Sequence, residues 1–225
     1  MNDDQFDNLA FDFSKMTLPR FVAVEGNIGV GKTTLAKRLA RTFNYDILLE
    51  QADDNPFLER FYLDRKRHAL PTQLFFLFQR TRQFQELRQG DMFEPVRVAD
   101  FLIDKDPLFA RVTLDDDELA LYNKVFEQLT IDAPRPDLVV YLQAPVDVLM
   151  QRIRQRGFTA EQAIDRHYLN QLNEAYTQLF HYYSASPLLI VNATAIDLAN
   201  NPDDYQQLVE YMLTIKSGRH YYNPL

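Results

Sequence analysis

Short unbroken apolar runs alternate along this chain with longer stretches whose apolar residues recur every three or four positions. The runs are Phe21-Val22-Ala23-Val24-Glu25, Asp46-Ile47-Leu48-Leu49-Glu50, Val96-Arg97-Val98-Ala99-Asp100, Leu138-Val139-Val140-Tyr141-Leu142 and Leu188-Leu189-Ile190-Val191. Each reads as a buried strand. Between and after them, Leu119, Tyr122, Phe126 and Leu129 share a helix face. So do Leu169, Leu172, Tyr176, Leu179, Phe180 and Tyr183, and then Tyr205, Leu208, Val209, Met212 and Leu213 in a closing helix. Pro145 suits the first turn of a helix, where its missing N–H costs nothing. There is no internal repeat or low-complexity tract. Strands separated by helical stretches predict an α/β fold: a five-stranded parallel sheet with helices on both faces. Ligands of such sheets bind at the carboxyl ends of the strands, which singles out Glu25, Glu50 and Asp100.

The first strand runs into Gly26-Asn27-Ile28-Gly29-Val30-Gly31-Lys32-Thr33-Thr34, and Leu35 and Leu39 then mark one face of a helix. The pattern G-x-x-x-x-G-K-T between a strand and a helix is a phosphate-binding loop. Its glycines let backbone N–H groups turn inward on an anion, and the helix N-terminus adds partial positive charge. Lys32 would reach the β- and γ-phosphates of a nucleotide, and the Thr33 hydroxyl would ligate Mg²⁺.

Composition narrows the class. The length, 225 residues, suits one domain, and the expected division is an acidic arm over 1–16 followed by a single domain over 17–225. Phe6, Leu9, Phe11 and Phe13 give that arm a means of docking. The net charge of −8 argues against a general nucleic-acid binder but leaves room for a local basic phosphate site. With no cysteine there is no disulfide, thiolate metal site or cysteine nucleophile, which fits a cytoplasmic protein. No apolar run approaches membrane-spanning length, and the acidic N-terminus has no apolar signal core.

Several side chains could carry chemistry. Glu50 ends the second strand, where a carboxylate could accept the proton of an attacking alcohol. Asp100 ends the third and could hold Mg²⁺ opposite Thr33; its simpler role is a helix cap or turn. Gln73 and Arg80, seven apart in an apolar run, share a helix face and need polar partners, which a ligand's base edge could supply. Arg152, Arg154 and Arg156 form a basic cluster that could close over a transferring phosphoryl group, with Gly157 as a turn; alternatively they complement a helix C-terminus. The four histidines lack metal-ligand spacing and read as structural.

At this point the chain resembles the deoxynucleoside kinase family, most closely its bacterial deoxyadenosine/deoxyguanosine branch, over about residues 20 to 195. Val24 to Thr34 is similar to the family's E-G-N-I-G-x-G-K-[ST]-T, and Asp54-Asn55-Pro56-Phe57-Leu58-Glu59-Arg60-Phe61-Tyr62 to D-N-P-[FY]-L-E-x-F-Y. Arg152-Ile153 with Arg156-Gly157 resembles the lid motif R-I-x-x-R-G-R. The resemblance implies a P-loop kinase fold with an Arg-rich lid, ATP and Mg²⁺, a deoxynucleoside acceptor and a homodimer. It makes Glu50 the general base and Arg152 and Arg156 the lid arginines. Tyr62 becomes the contact to the sugar 3′-hydroxyl, Gln73 and Arg80 substrate residues, and Asn192 to Leu198 the donor adenine loop. The base-reading aspartate would be Asp106 or Asp104.

Three positions depart from the family pattern. Where the family has [DE]-R-[ST], this chain has Asp100-Phe101-Leu102, without the arginine. Phe158 replaces the third lid arginine, and the glutamate expected to pair with the 3′-hydroxyl aligns with His167. The reading expected is Mg²⁺–ATP-dependent phosphorylation of a purine deoxynucleoside at its 5′-hydroxyl. Its alternatives are a P-loop kinase of another small alcohol or nucleotide, and a non-catalytic nucleotide-binding member of the family.

Overall fold

The computed structural model describes residues 6, 9, 11–14, 17–90, 97–129 and 133–224, except for the side chains of 87–90. Among them six strands form one sheet: β1 (Phe21–Gly26), β2 (Asp46–Leu48), β3 (Arg97–Ala99), β4 (Leu138–Gln143), β5 (Leu188–Asn192) and β6 (Arg219–Tyr222). The order is β2-β3-β1-β4-β5-β6, and every neighbouring pair is parallel. Eight α-helices accompany it: α1 (Lys32–Phe43), α2 (Leu58–Leu63), α3 (Arg65–Gly90), α4 (Lys105–Thr113), α5 (Asp116–Gln128), α6 (Val146–Arg156), α7 (Arg166–Tyr182) and α8 (Pro202–Thr214). Val96, the first residue expected in the third strand, lies outside the described residues.

All six residues of β1 are buried, as its continuous apolar run requires of a central strand. Its neighbours are β3 on one side and β4 on the other, so the connections diverge at its carboxyl end. That divergence opens the crevice where such sheets bind ligands, and the glycine loop leaves β1 there. The helix faces anchor the layers: Leu169, Leu172, Tyr176 and Phe180 of α7 and Tyr205, Leu208, Val209, Met212 and Leu213 of α8 are buried in the main core. The α5 face behaves differently. Only Tyr122 is fully buried, in a small cluster with Leu77 of α3 and Ala110 of α4, beside the sheet rather than on it.

Three expectations need correction. The sheet has six strands rather than five, and α8 is not the last element. Arg219-His220-Tyr221-Tyr222 lacks an apolar run because it is a half-exposed edge strand. Backbone pairing to β5 holds it, and so does the Arg219 guanidinium, which donates to the carbonyls of Phe180 and His181 (both 2.8 Å) and Tyr183 (3.3 Å). Pro145 stands one place before its helix, as the cap of α6. The second strand is shorter than expected, so Glu50 lies on the loop two residues beyond it.

Near the N-terminus, Phe6, Leu9, Phe11 and Phe13 all pack on the core. Phe6 and Phe11 meet the Tyr205 ring edge-on, and Phe13 meets Phe43. The Arg38 guanidinium lies 3.1 Å above the Phe6 ring centre and donates to the Ala199 carbonyl at 2.6 Å.

Candidate active site

The loop Gly26–Thr34 joins β1 to α1 in a conformation that only its glycines allow. Gly26 has φ +147°, and a Cβ there would lie 2.5 Å from the Leu142 carbonyl oxygen of β4. Gly31 has φ +108° and precedes the first turn of α1. Asn27 ties the loop to α7, donating to the Leu169 carbonyl at 3.0 Å and to Asn173 Oδ1 at 2.7 Å. Lys32 folds back over the loop, its Nζ 3.2 Å from the Asn27 carbonyl. Burial and the nearby Lys105 charge push its pKa down. The carboxylates of Glu25, Glu50 and Asp100 only partly offset this, and an incoming phosphate would add negative charge beside the ammonium.

One carboxylate links the phosphate loop to Glu50. Asp100 Oδ2 accepts from Thr33 Oγ1 at 2.6 Å, and Oδ1 accepts from the Glu50 backbone N–H at 2.7 Å. Thr33 and Asp100 offer adjacent hard oxygens, a donor pair suited to Mg²⁺. Among the described residues no group of three or more His, Cys, Asp or Glu side chains could enclose a metal. A Mg²⁺ ion here would complete its shell from phosphates and water, as that ion ordinarily does. Glu25 is otherwise engaged: it is buried and accepts from the Leu102 N–H (2.8 Å) and the Tyr176 hydroxyl (3.0 Å). It is an internal brace.

Beyond Glu50 lies a cavity of about 150 Å³ between the sheet edge and α2, α3 and α4. Gln73 and Arg80, two turns apart on α3, both face it. The Gln73 side chain makes no hydrogen bond to a described residue. Arg80 pairs with Glu50 on one side and with the fully buried Asp106 on the other. Asp106 Oδ2 has no hydrogen-bond partner. Asp104 is exposed at the start of α4, so of the two aspartates it is Asp106 that joins the cluster. Tyr62 lines the same cavity, and burial pushes its phenol well up.

Two participants had no motif to reveal them. Lys105, only 2% exposed, places Nζ 2.9 and 3.1 Å from the two Glu50 carboxylate oxygens. Burial alone would raise the Glu50 carboxyl; Lys105 and Arg80 reverse this and hold it well below the usual carboxylate range. The available signal was position. Lys105 opens α4, where the helix dipole disfavours a cation unless a carboxylate faces it. The second is Glu161, in the 3₁₀ turn Ala160–Ala163, which lines the cavity and pairs with Arg156. His167, by contrast, is exposed on α7 and away from the cavity. The acidic side chain that lines the cavity in this part of the chain is Glu161, and residue 167 is not among its lining.

Arg152 and Arg156 of α6 have different surroundings. Arg152 is half-buried and donates to the carbonyls of Val30 (3.2 Å), Ala193 (2.8 Å) and Ile196 (3.4 Å), lacing the phosphate loop to the segment after β5. Arg156 stands between the cavity beyond Glu50 and a second cleft, its guanidinium 4.9 Å above the Phe158 ring. Arg154 is exposed. The second cleft, about 670 Å³, lies between Gly29–Gly31 and residues 193–200. Asn192 instead turns to Asn223, 2.6 Å away.

This arrangement, a phosphate-binding loop beside a cavity lined by both charged and aromatic side chains with a carboxylate between them, fits an enzyme transferring phosphoryl groups. The family model for deoxynucleoside kinases matches residues 22–215. The chain belongs to the deoxynucleoside kinase family. This kinase is 34% identical over 206 residues to the deoxyguanosine kinase of Bacillus subtilis (strain 168), covering 88% of this chain and 98% of that one. It is 29% identical over 203 residues to that organism's deoxyadenosine/deoxycytidine kinase, covering 86% and 92%. Among solved structures, the deoxyadenosine kinase from M. mycoides with bound dATP shares the fold, with a TM-score of 0.72 at 24% identity over 85% of this chain and 98% of that one. The kinase is therefore a transferase that moves a phosphoryl group from a nucleotide donor to a deoxynucleoside. No described helix of it is long and apolar enough to cross a membrane.

Proposed function

We propose that the donor is ATP with Mg²⁺ and that the acceptor is the 5′-hydroxyl of a purine deoxynucleoside, deoxyadenosine or deoxyguanosine. The observation that carries this reading is the pair of hydrogen bonds through Asp100, from Thr33 to the backbone of Glu50. It supports the reading by bringing Thr33, Asp100 and Glu50 together at the mouth of the phosphate loop, where the first two would bind the metal and the third would accept the proton. The nucleotide would lie in the cleft lined by residues 193–200, its phosphates on the backbone of Gly26–Thr34. Bound at Thr33 and Asp100, Mg²⁺ would neutralise charge on the β- and γ-phosphates.

In the transfer, the 5′-oxygen forms a bond to the γ-phosphorus as the bond to the β-bridging oxygen breaks and ADP leaves. Glu50 takes the hydroxyl proton. The proton departs late in a loose transition state, so a weakly basic carboxylate suffices. Lys32 and Arg156 would stabilise the charge on the moving phosphoryl group. Arg152, occupied by three carbonyls, serves by keeping the loop and the donor segment together. Tyr62 and Glu161 would hold the sugar 3′-hydroxyl. The free Gln73 amide and the Asp106–Arg80 pair would read the base, and the purine-specific names among the relatives support that choice. Phe78 of α3 and Leu121 of α5 are exposed apolar residues on neighbouring helices, a face suited to a second copy of the chain.

The test is transfer from γ-labelled ATP with Mg²⁺ to the four deoxynucleosides, ribonucleosides, monophosphates and other metabolite alcohols. Labelled deoxyadenosine or deoxyguanosine 5′-monophosphate is expected. Transfer to a pyrimidine deoxynucleoside alone would overturn the base preference, and transfer to none of the nucleosides would overturn the acceptor.

A further inference from the structure

An ion-paired chain of four side chains runs through the site, Glu50 and Asp106 against Arg80 and Lys105. Arg80 is committed at both ends, to Asp106 and to Glu50. Among the described residues Lys105 pairs with Glu50 alone and meets both of its oxygens. A lysine this buried costs several kcal/mol unless a charge compensates it, and the first turn of a helix makes the cost larger. Its position therefore has to be accounted for at Glu50.

The surroundings confine the ammonium. Nζ lies 5.9 Å from the centres of both the Phe101 and Phe109 rings. Phe101 is fully buried and is itself braced by the Phe84 ring at 5.7 Å. The aromatic walls leave Nζ one carboxylate to bind. The backbone of that same residue is fixed by Asp100, beside Thr33.

We propose that Lys105 is a positioning residue for phosphoryl transfer. It holds the Glu50 carboxylate in the orientation that receives the acceptor hydroxyl, supplying from the start of α4 the cation that position 101 does not carry. Phe101 is the other half of the same device, a ring against which the lysine side chain is steered. The proposal rests on Glu50 being the proton acceptor, and so on the function proposed above.

The experiment compares wild type, Lys105→Met, Lys105→Arg and the double variant Phe101→Arg/Lys105→Met, with folding of each checked by circular dichroism. Lys105→Met is expected to lower kcat at least about thirtyfold, within the range for a compromised general base, while KM for ATP changes less than about threefold. Lys105→Arg should stay within about tenfold of wild type, and the double variant should recover at least about tenfold over Lys105→Met. A lysine needed only for packing would give no rescue by a cation grown from position 101. The proposal is overturned if Lys105→Met keeps kcat within about threefold of wild type, or if neither cationic variant exceeds Lys105→Met. If wild type phosphorylates none of the acceptors, the functional reading has failed, and crystal structures of wild type and Lys105→Met decide the positioning role by themselves. A Glu50 carboxylate that leaves its place in the variant supports the role, and one that stays put on Arg80 alone overturns it.

Discussion

Replacing Arg80 by methionine should be among the most damaging single changes outside the phosphate loop, and the structure says why. Arg80 is 4% exposed and Asp106 is 0% exposed, so the pair sits beyond the reach of water. Removing the guanidinium strands the Asp106 carboxylate, which has no other hydrogen-bond partner. Breaking one half of such a pair costs about 3–5 kcal/mol, whereas exchanging both halves for apolar groups of similar volume is often close to neutral. For a chain of this size the single variant should therefore melt about 6–20 °C below wild type. Arg80→Met/Asp106→Leu should recover most of that deficit. Thermal unfolding followed by circular dichroism, with urea midpoints as a second measure, reads both effects. A single variant within about 1 kcal/mol of wild type, or a double variant no better than the single, would refute the reasoning.

Four further expectations follow from the same geometry. Gly26→Ala meets the Leu142 carbonyl oxygen at 2.5 Å and should cost about 3 kcal/mol or more, while Gly31→Ala finds no atom within 4 Å and should cost about 1–2 kcal/mol of backbone strain; urea denaturation separates them. Lys32→Ala and Glu50→Gln should each lower kcat by about 10²–10⁴, yet Glu50→Gln should keep ATP affinity by calorimetry, since it lies on the acceptor side. Chelation by EDTA should stop transfer and added Mg²⁺ restore it, and Asp100→Asn should raise the Mg²⁺ concentration needed for half-maximal rate. Burial pushes the Tyr122 phenol up to about 12, and those of Tyr168 and Tyr205 higher. Unfolded phenols ionise near 10, so this stability is complete below that pH and falls above it by about 1.4 kcal/mol per pH unit per phenol; absorbance at 295 nm should register their ionisation only with unfolding.

The residues that could be read from the chain are those whose role is periodic or local. Phe21–Glu25 declares itself as a strand because a central parallel strand is buried on both faces. Gln73 and Arg80 fall on one face because seven residues make two helical turns, whatever the rest of the fold does. Lys105 and Glu161 act across the fold. The meaning of Lys105 depends on Glu50, fifty-five positions earlier, and in Asp104-Lys105-Asp106 it resembles any charged helix start. Glu161 was missed because a 3₁₀ turn brings it into the cavity, whereas reading on into α7 leads to His167, which faces solvent. Arg219–Tyr222 escaped because an edge strand needs only one buried side, and its partner carbonyls lie on α7.

The sheet order also bears on how the chain comes into being. β1 is made early, yet Phe21 pairs with Arg97 and Val22 with Leu138. On the ribosome, this six-residue apolar strand must wait for one flank until β3 emerges and for the other until β4 does. Gly26 acquires the backbone it was shaped to approach, at Leu142, only at that second event. The phosphate loop thus matures only after β4 has been synthesised, through contacts of high sequence separation that are slow to close. Fragments ending before Leu138 would carry the whole G-x-x-x-x-G-K-T motif without the wall it leans on, leaving an open strand edge that invites aggregation.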